Sequence, residues 1–240
     1  MRESHKSIIM NQPPIFVKTE KEAKIFVYEF LTLLGENRTH DVVIRKIVVL
    51  QKKIRESQKL ELKINIFVKS IAYNRDLKIV SEFIPTKIKS AFKTYPPYVI
   101  CLKSHIFDKI KGTKNKVNAF TFPFSNCIII TENYIGDIHY LLIHEFLHYA
   151  SELGSNWSNW RNKVNKYKTW IIEGITELYT KRLAATNHIQ YKQHKKYEKY
   201  VAAIRPIEAL LGKENLKEIY FNGDIGAIFL STDEKVMEKL

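Results

Sequence analysis

The segment His144-Glu145-Phe146-Leu147-His148 holds the residue types that metal-assisted hydrolysis requires, at the spacing that lets them act together. Side chains four residues apart share one face of an α-helix, so His144 and His148 can present two imidazoles to a single Zn²⁺. Glu145 then stands beside the position such an ion keeps for water, where a carboxylate serves as general base. The chemistry this set performs is hydrolysis, with peptide bonds the leading substrate. A chain with 8 His and this glutamate content would carry the pentapeptide by chance with odds of about 0.02, so its surroundings must decide. Ile138, Leu141, Leu142, Leu147 and Ala150 recur around it at helical spacing. That pattern puts the motif on an amphipathic helix with both histidines near the inward face, where an imidazole needs a hydrogen-bond partner or a metal.

A catalytic zinc takes three protein ligands and leaves one position open. A third histidine in the form H-x-x-G-x-x-H is absent, because Ser151 and Gly154 occupy those positions. Glu173 is the leading alternative: it lies within Trp170, Ile171, Ile172, Ile175 and Leu178, a run too apolar for an exposed face. A carboxylate there is costly to bury unless it is paired or bound to a metal. Glu177, one turn further along the same face, suits the outer layer of the site, accepting the spare N–H of a ligating histidine, His144 in the first place. Glu152, four residues after His148, is a weaker rival ligand because one helix closes a tetrahedral site poorly.

With these residues in view, the chain resembles the gluzincins, the thermolysin-like zinc metallopeptidases. Their pattern is H-E-x-x-H followed by a helix with E-x-x-x-D, in which the first glutamate binds the metal. Glu173-x-x-x-Glu177 takes that place after 24 intervening residues, with Glu where Asp is usual. Upstream, Val117-Asn118-Ala119-Phe120-Thr121-Phe122-Pro123 and the run Ile128–Thr131 are similar to the CAAX-prenyl-protease class of gluzincins. The resemblance covers about residues 117–185. It implies a zincin-like fold, one Zn²⁺ per chain held by His144, His148 and Glu173, and a cleft bordered by Asn118, Ala119 and Phe120 as substrate-binding residues. It also implies an oxyanion donor, Tyr or His, beyond the glutamate helix. Tyr191, His194, Tyr197, Tyr200 and Tyr220 are the candidates, and Tyr197 is preferred because it opens an apolar helix expected to fold back on the cleft.

The expected activity is that of a zinc metallopeptidase, with Glu145-assisted attack of zinc-bound water on the scissile carbonyl and Glu145 passing the proton to the leaving amine. The alternative is a zincin-fold protein that binds nucleic acid or a protein partner without proteolysis. The charge balance bears on that alternative: 39 Lys+Arg against 25 Asp+Glu give +14. Lysine outnumbers arginine and is spread along the chain, even around the densest stretch, Lys192, Lys195, Lys196 and Lys199. Phosphate readers favour arginine, so nucleic acid is the weaker partner expectation and a polypeptide substrate the stronger.

No apolar run is long enough to span a bilayer, and residues 1–11 lack a cleavage-site pattern, so a soluble, cytoplasmic protein is expected. Cys101 and Cys127 each lie in a strand-like run and read as reduced core residues rather than metal ligands. Thr19-x-x-Glu22 reads as a capping box opening a helix that ends before Gly35, and Asp41 as the cap of a second helix. Leu60, Leu62, Ile64, Ile66 and Val68 alternate with polar residues as a half-buried strand. Further strands are expected at Tyr98–Leu102, Val117–Phe122 and Cys127–Thr131, with an exposed lysine-rich connection around Gly112. From Asp137 the chain reads helical, with turns at Gly154–Ser158, Gly212 and Asn222-Gly223. The class is α+β. Residues 1–12 are expected to be disordered, and residues 13–240 to form one zincin-like domain. Within it a sheet lobe (13–153) would carry the active-site helix, a helical lobe (154–240) would follow, and the metal site would lie where the two meet.

Overall fold

The computed structural model of the 240-residue chain describes residues 19, 22–23, 25–26, 73–104, 107–108, 118–121, 125–154, 166–191, 195–225 and 228. The expectations for residues 1–12, the Asp41 helix, the strand over Leu60–Val68 and the Gly112 connection lie outside these. Among the described residues the architecture mixes helices with one small sheet, and helix predominates. The chain divides into two compact units, one of residues 1–71 and 95–135, the other of residues 72–94 and 136–240.

The first unit contains a three-stranded sheet in the order β1-β3-β2, where β1 is Tyr98–Leu102, β2 Ala119–Thr121 and β3 Cys127–Thr131. The central strand β3 runs parallel to β1, from Tyr98 opposite Cys127 to Leu102 opposite Thr131, and antiparallel to β2, with Phe120 opposite Ile129. All five β3 residues are buried, as a continuous apolar, β-branched run in a strand covered on both faces should be. Asn126 fixes the start of both long strands: its carbonyl accepts from Tyr98 N–H and its amide donates to Pro96 O at 2.9 Å. Neither Cys101 nor Cys127 is in a disulfide, and burial pushes the Cys127 thiol up to about 12. Thr19 caps as expected, its Oγ1 accepting the Glu22 N–H at 3.2 Å.

Among the described residues the second unit holds six helices: α1 Tyr73–Phe83, α2 Thr86–Thr94, α3 Ile138–Gly154, α4 Lys166–Thr186, α5 Lys195–Leu211 and α6 Lys213–Asn222. Asp137 starts α3 by accepting the N–H groups of His139 (2.8 Å) and Tyr140 (3.1 Å) on Oδ1. α1, α2, α4 and α6 all pack on α3. The helix is therefore not amphipathic in the way its sequence suggested: Tyr140, Leu142 through Leu147 and Tyr149 through Glu152 are all buried, as in a central helix with no solvent face.

Two close approaches define the packing. At the end of α3, a Cβ on Gly154 would fall 1.8 Å from the Phe221 carbonyl oxygen of α6. In α4, a Cβ on Gly174 would lie 2.7 Å from Ile204 Cγ1 and 2.9 Å from the Tyr200 carbonyl oxygen of α5. The expected turns at Gly212 and Gly223 are present. Gly212 has φ 83° between α5 and α6, and Gly223 ends α6 in the left-handed region at φ 65°.

Candidate metal centre

Helix α3 carries His144 and His148 one turn apart, and α4 packs against it with Glu173 on the facing side. His144 Nε2 and His148 Nε2 are 3.1 Å apart, and Glu173 Oε2 lies 3.5 Å from the first and 3.7 Å from the second. Two ligand atoms about 2.05 Å from a common centre at the tetrahedral angle are separated by about 3.4 Å. The three observed separations bracket that value, so the donor set fits a tetrahedral ion with one open position. Exposure rises across the trio, from 9 % for the His144 side chain to 15 % for His148 and 27 % for Glu173, so the group opens outward on the Glu173 side.

The other ring nitrogens are engaged. His144 Nδ1 lies 3.2 Å from Glu177 Oε2, and Glu177 Oε1 accepts a 2.6 Å hydrogen bond from the Tyr140 hydroxyl. His148 Nδ1 lies 3.4 Å from Thr176 Oγ1. Thr176 spends its only proton on the Ile172 carbonyl one turn back, at 2.7 Å. It can therefore only accept, from the Tyr220 hydroxyl at 2.7 Å and from His148 Nδ1–H. Hydrogens on both Nδ1 atoms leave the two Nε2 atoms and a carboxylate oxygen converging on one point, an arrangement that a proton or a metal ion held there relieves.

The electrostatics carry the same sign. Burial alone would lower the His144 pKa, but Glu173 and Glu177 overcome it and raise it to about 10. Burial would likewise raise Glu173, yet His148 and His144 hold it far below the usual carboxylate range. Glu177 is lowered too, against burial, by His144 and the Tyr140 hydroxyl. The pocket is built for positive charge.

No protein-family model, curated protein or solved structure matches this chain.

Of the residues singled out in the sequence, His144, His148, Glu173 and Glu177 are thus together, and Glu145 joins them from α3, buried and close enough to raise His144. Tyr197, on the first turns of α5, is also present: its ring centroid is 5.7 Å from that of His144. Burial, then Glu173, Glu145 and Glu177, raises its phenol above the ordinary range, which keeps it a hydrogen-bond donor. Tyr200 packs edge-on against Tyr197, whereas Tyr191 stacks on Tyr140 with centroids 4.3 Å apart. Tyr220 is fully buried behind Thr176, and His194 lies outside the described residues. Glu152 is outside the trio; burial and then Glu145 push its carboxyl well above the usual range.

Asn118, Ala119 and Phe120 belong to the first unit, at and within β2, with Asn118 exposed, Ala119 buried and Phe120 against Phe107. Sequence reasoning missed Tyr140, Thr176 and the supporting part of Tyr220. Tyr140 offered one signal, a polar-tipped aromatic one turn before His144 on the face that meets the glutamates. No helix among the described residues is long and apolar enough to cross a membrane.

Proposed function

We propose that the protein is a zinc-dependent metallopeptidase of the gluzincin kind, with a zincin-like fold, hydrolysing peptide bonds in a polypeptide substrate. The observation that carries this reading is the convergence of His144 Nε2, His148 Nε2 and Glu173 Oε2 at tetrahedral spacing, with Glu145 adjoining. Those three residues would hold one Zn²⁺ per chain, which when bound supplies Lewis acidity to a carbonyl and to water.

The chain's own residues do the rest. Glu177 and Thr176 take the Nδ1–H groups and so fix which edge of each imidazole faces the centre. Glu145 takes a proton from the attacking water and returns it to the leaving amine. It is buried, and close enough to His144 to raise that imidazole. Tyr197, held protonated next to His144, is the donor for the oxygen that becomes negative as the carbonyl turns tetrahedral.

The test is Glu145→Gln beside the wild type on a proteome-derived peptide library, with zinc content measured in both. Cleavage should fall by about 10²–10⁴-fold while zinc stays near one per chain. Wild-type turnover by the glutamine variant would refute the mechanism. Salt-dependent nucleic-acid binding with no cleavage by wild type would replace it with the binding-protein alternative.

A further inference from the structure

We propose that Tyr140 is a positioning residue of this centre, fixing through Glu177 the nitrogen with which His144 meets the metal. The inference rests on the zinc reading above and concerns a residue that takes no part in binding or chemistry itself. Tyr140 lies one turn before His144 on α3, with its side chain buried. Its hydroxyl donates to Glu177 Oε1 at 2.6 Å, and the other oxygen of that carboxylate is 3.2 Å from His144 Nδ1. A path thus leaves α3, passes through one carboxylate on α4, and returns to α3 one turn later.

The three side chains of that path set one another's roles. A carboxylate joined to its chain by a single bond can rotate, and an unheld Glu177 could turn its oxygens away from the imidazole. The Tyr140 hydroxyl engages one oxygen, which directs the other to His144 Nδ1. With Nδ1–H donating there, Nε2 is the nitrogen left for the metal, the one that already faces His148 and Glu173. Packing alone does not call for the hydroxyl. The Tyr140 ring stacks on Tyr191 at 4.3 Å and 20°, a contact that phenylalanine would make equally well. Among the described residues, the hydrogen bond the oxygen makes is to Glu177.

Tyr140→Phe in the full chain tests this, because it keeps the ring and its stacking. Zinc affinity, read by competition with a chromophoric chelator, should weaken by about tenfold, the low end for loss of an outer partner of a metal ligand. The visible absorption of the cobalt-substituted protein should shift, since the geometry at His144 changes. In a Glu177→Gln background the same substitution should add less than about a twofold effect, because its route is already cut. Unaltered zinc affinity and an unaltered cobalt spectrum in Tyr140→Phe would overturn the inference. So would effects of the two substitutions that multiply independently, which would mark Tyr140 as acting by packing. Wild-type protein that binds no zinc would instead strike the zinc reading itself and carry this inference down with it.

Discussion

Replacing Gly174 by alanine tests whether the approach of α4 to α5 is what brings Tyr197 to the metal centre. The added methyl would lie 2.7 Å from Ile204 Cγ1 and 2.9 Å from the Tyr200 carbonyl oxygen. Ordinary carbon–carbon contact is about 3.5–4.0 Å, so the first distance is short by roughly 0.8–1.3 Å. Ile204 is fully buried and the Tyr200 oxygen is backbone, so neither can swing aside. The helices must separate by several tenths of an ångström at least. Overpacking of this kind costs about 1–3 kcal/mol, against roughly 1 kcal/mol gained from alanine's better helix propensity. A net loss of up to about 2 kcal/mol should lower the thermal midpoint by up to about 8 °C for a chain of this size. Tyr197 sits three residues before Tyr200 on the helix being pushed, so the 5.7 Å separation of its ring from His144 should grow. The expected outcome is a several-fold drop in kcat with zinc content unchanged, measured beside calorimetric unfolding. A variant with a midpoint at or above wild type, as helix propensity alone would give, refutes the packing argument. Wild-type kcat in a destabilised variant would instead detach Tyr197 from catalysis.

Zinc loading should release protons. Glu173 and Glu177 raise metal-free His144 to about 10, so its ring carries a proton at neutral pH that the ion must displace. Apparent zinc affinity should then climb about tenfold per pH unit between pH 6.5 and 8.5, and calorimetry in two buffers of different ionisation enthalpy should count about one proton per zinc; a flat profile contradicts this. The sign for folding of the metal-free protein is opposite. A raised histidine contributes its full stabilisation below the unfolded value near 6.5 and loses it as pH rises toward 10, so alkali should weaken the metal-free form. Asp137→Ala removes the acceptor for two amides at the start of α3 and should cost about 1 kcal/mol in urea unfolding, with Asp137→Asn retaining most of it. Equal stability of the alanine variant would mean that the cap is idle.

The cluster of His144, His148, Glu173 and Glu177 was legible because each member depends on local spacing. Four residues separate His144 from His148 and Glu173 from Glu177, and helical geometry turns each interval into a shared face. β1 and β3 were legible as apolar runs, but their parallel pairing was not, since nothing local to Tyr98–Leu102 names a partner 29 residues on. Tyr140 escaped for the same reason: its hydroxyl finds Glu177 across 37 residues, and in sequence it reads as one more aromatic on a core helix. α1 and α2 were missed because each is short and the buried apolar residues are few: Val80 in α1, Ile84 in the break before Pro85, and Ile88 and Phe92 in α2, too few per helix to establish a period. Gly174 carries no local sign of its role, because the atoms a Cβ there would meet, Ile204 Cγ1 and the Tyr200 carbonyl oxygen, belong to residues 30 and 26 positions further on.

A helix covered on almost every side has no way to breathe alone. Amides in the middle of α3 should exchange with solvent only when the whole helical unit opens, and they should be among the slowest in the protein. The two imidazoles therefore ride on a closely packed element, and any movement that the proposed peptidase needs to admit substrate must come from elsewhere. The outward-facing side, where Glu173 is the most exposed ligand and α5 brings in Tyr197, is where that compliance can reside. Substitutions meant to retune what the site accepts belong on α5, because any change in α3 is paid in the fold itself.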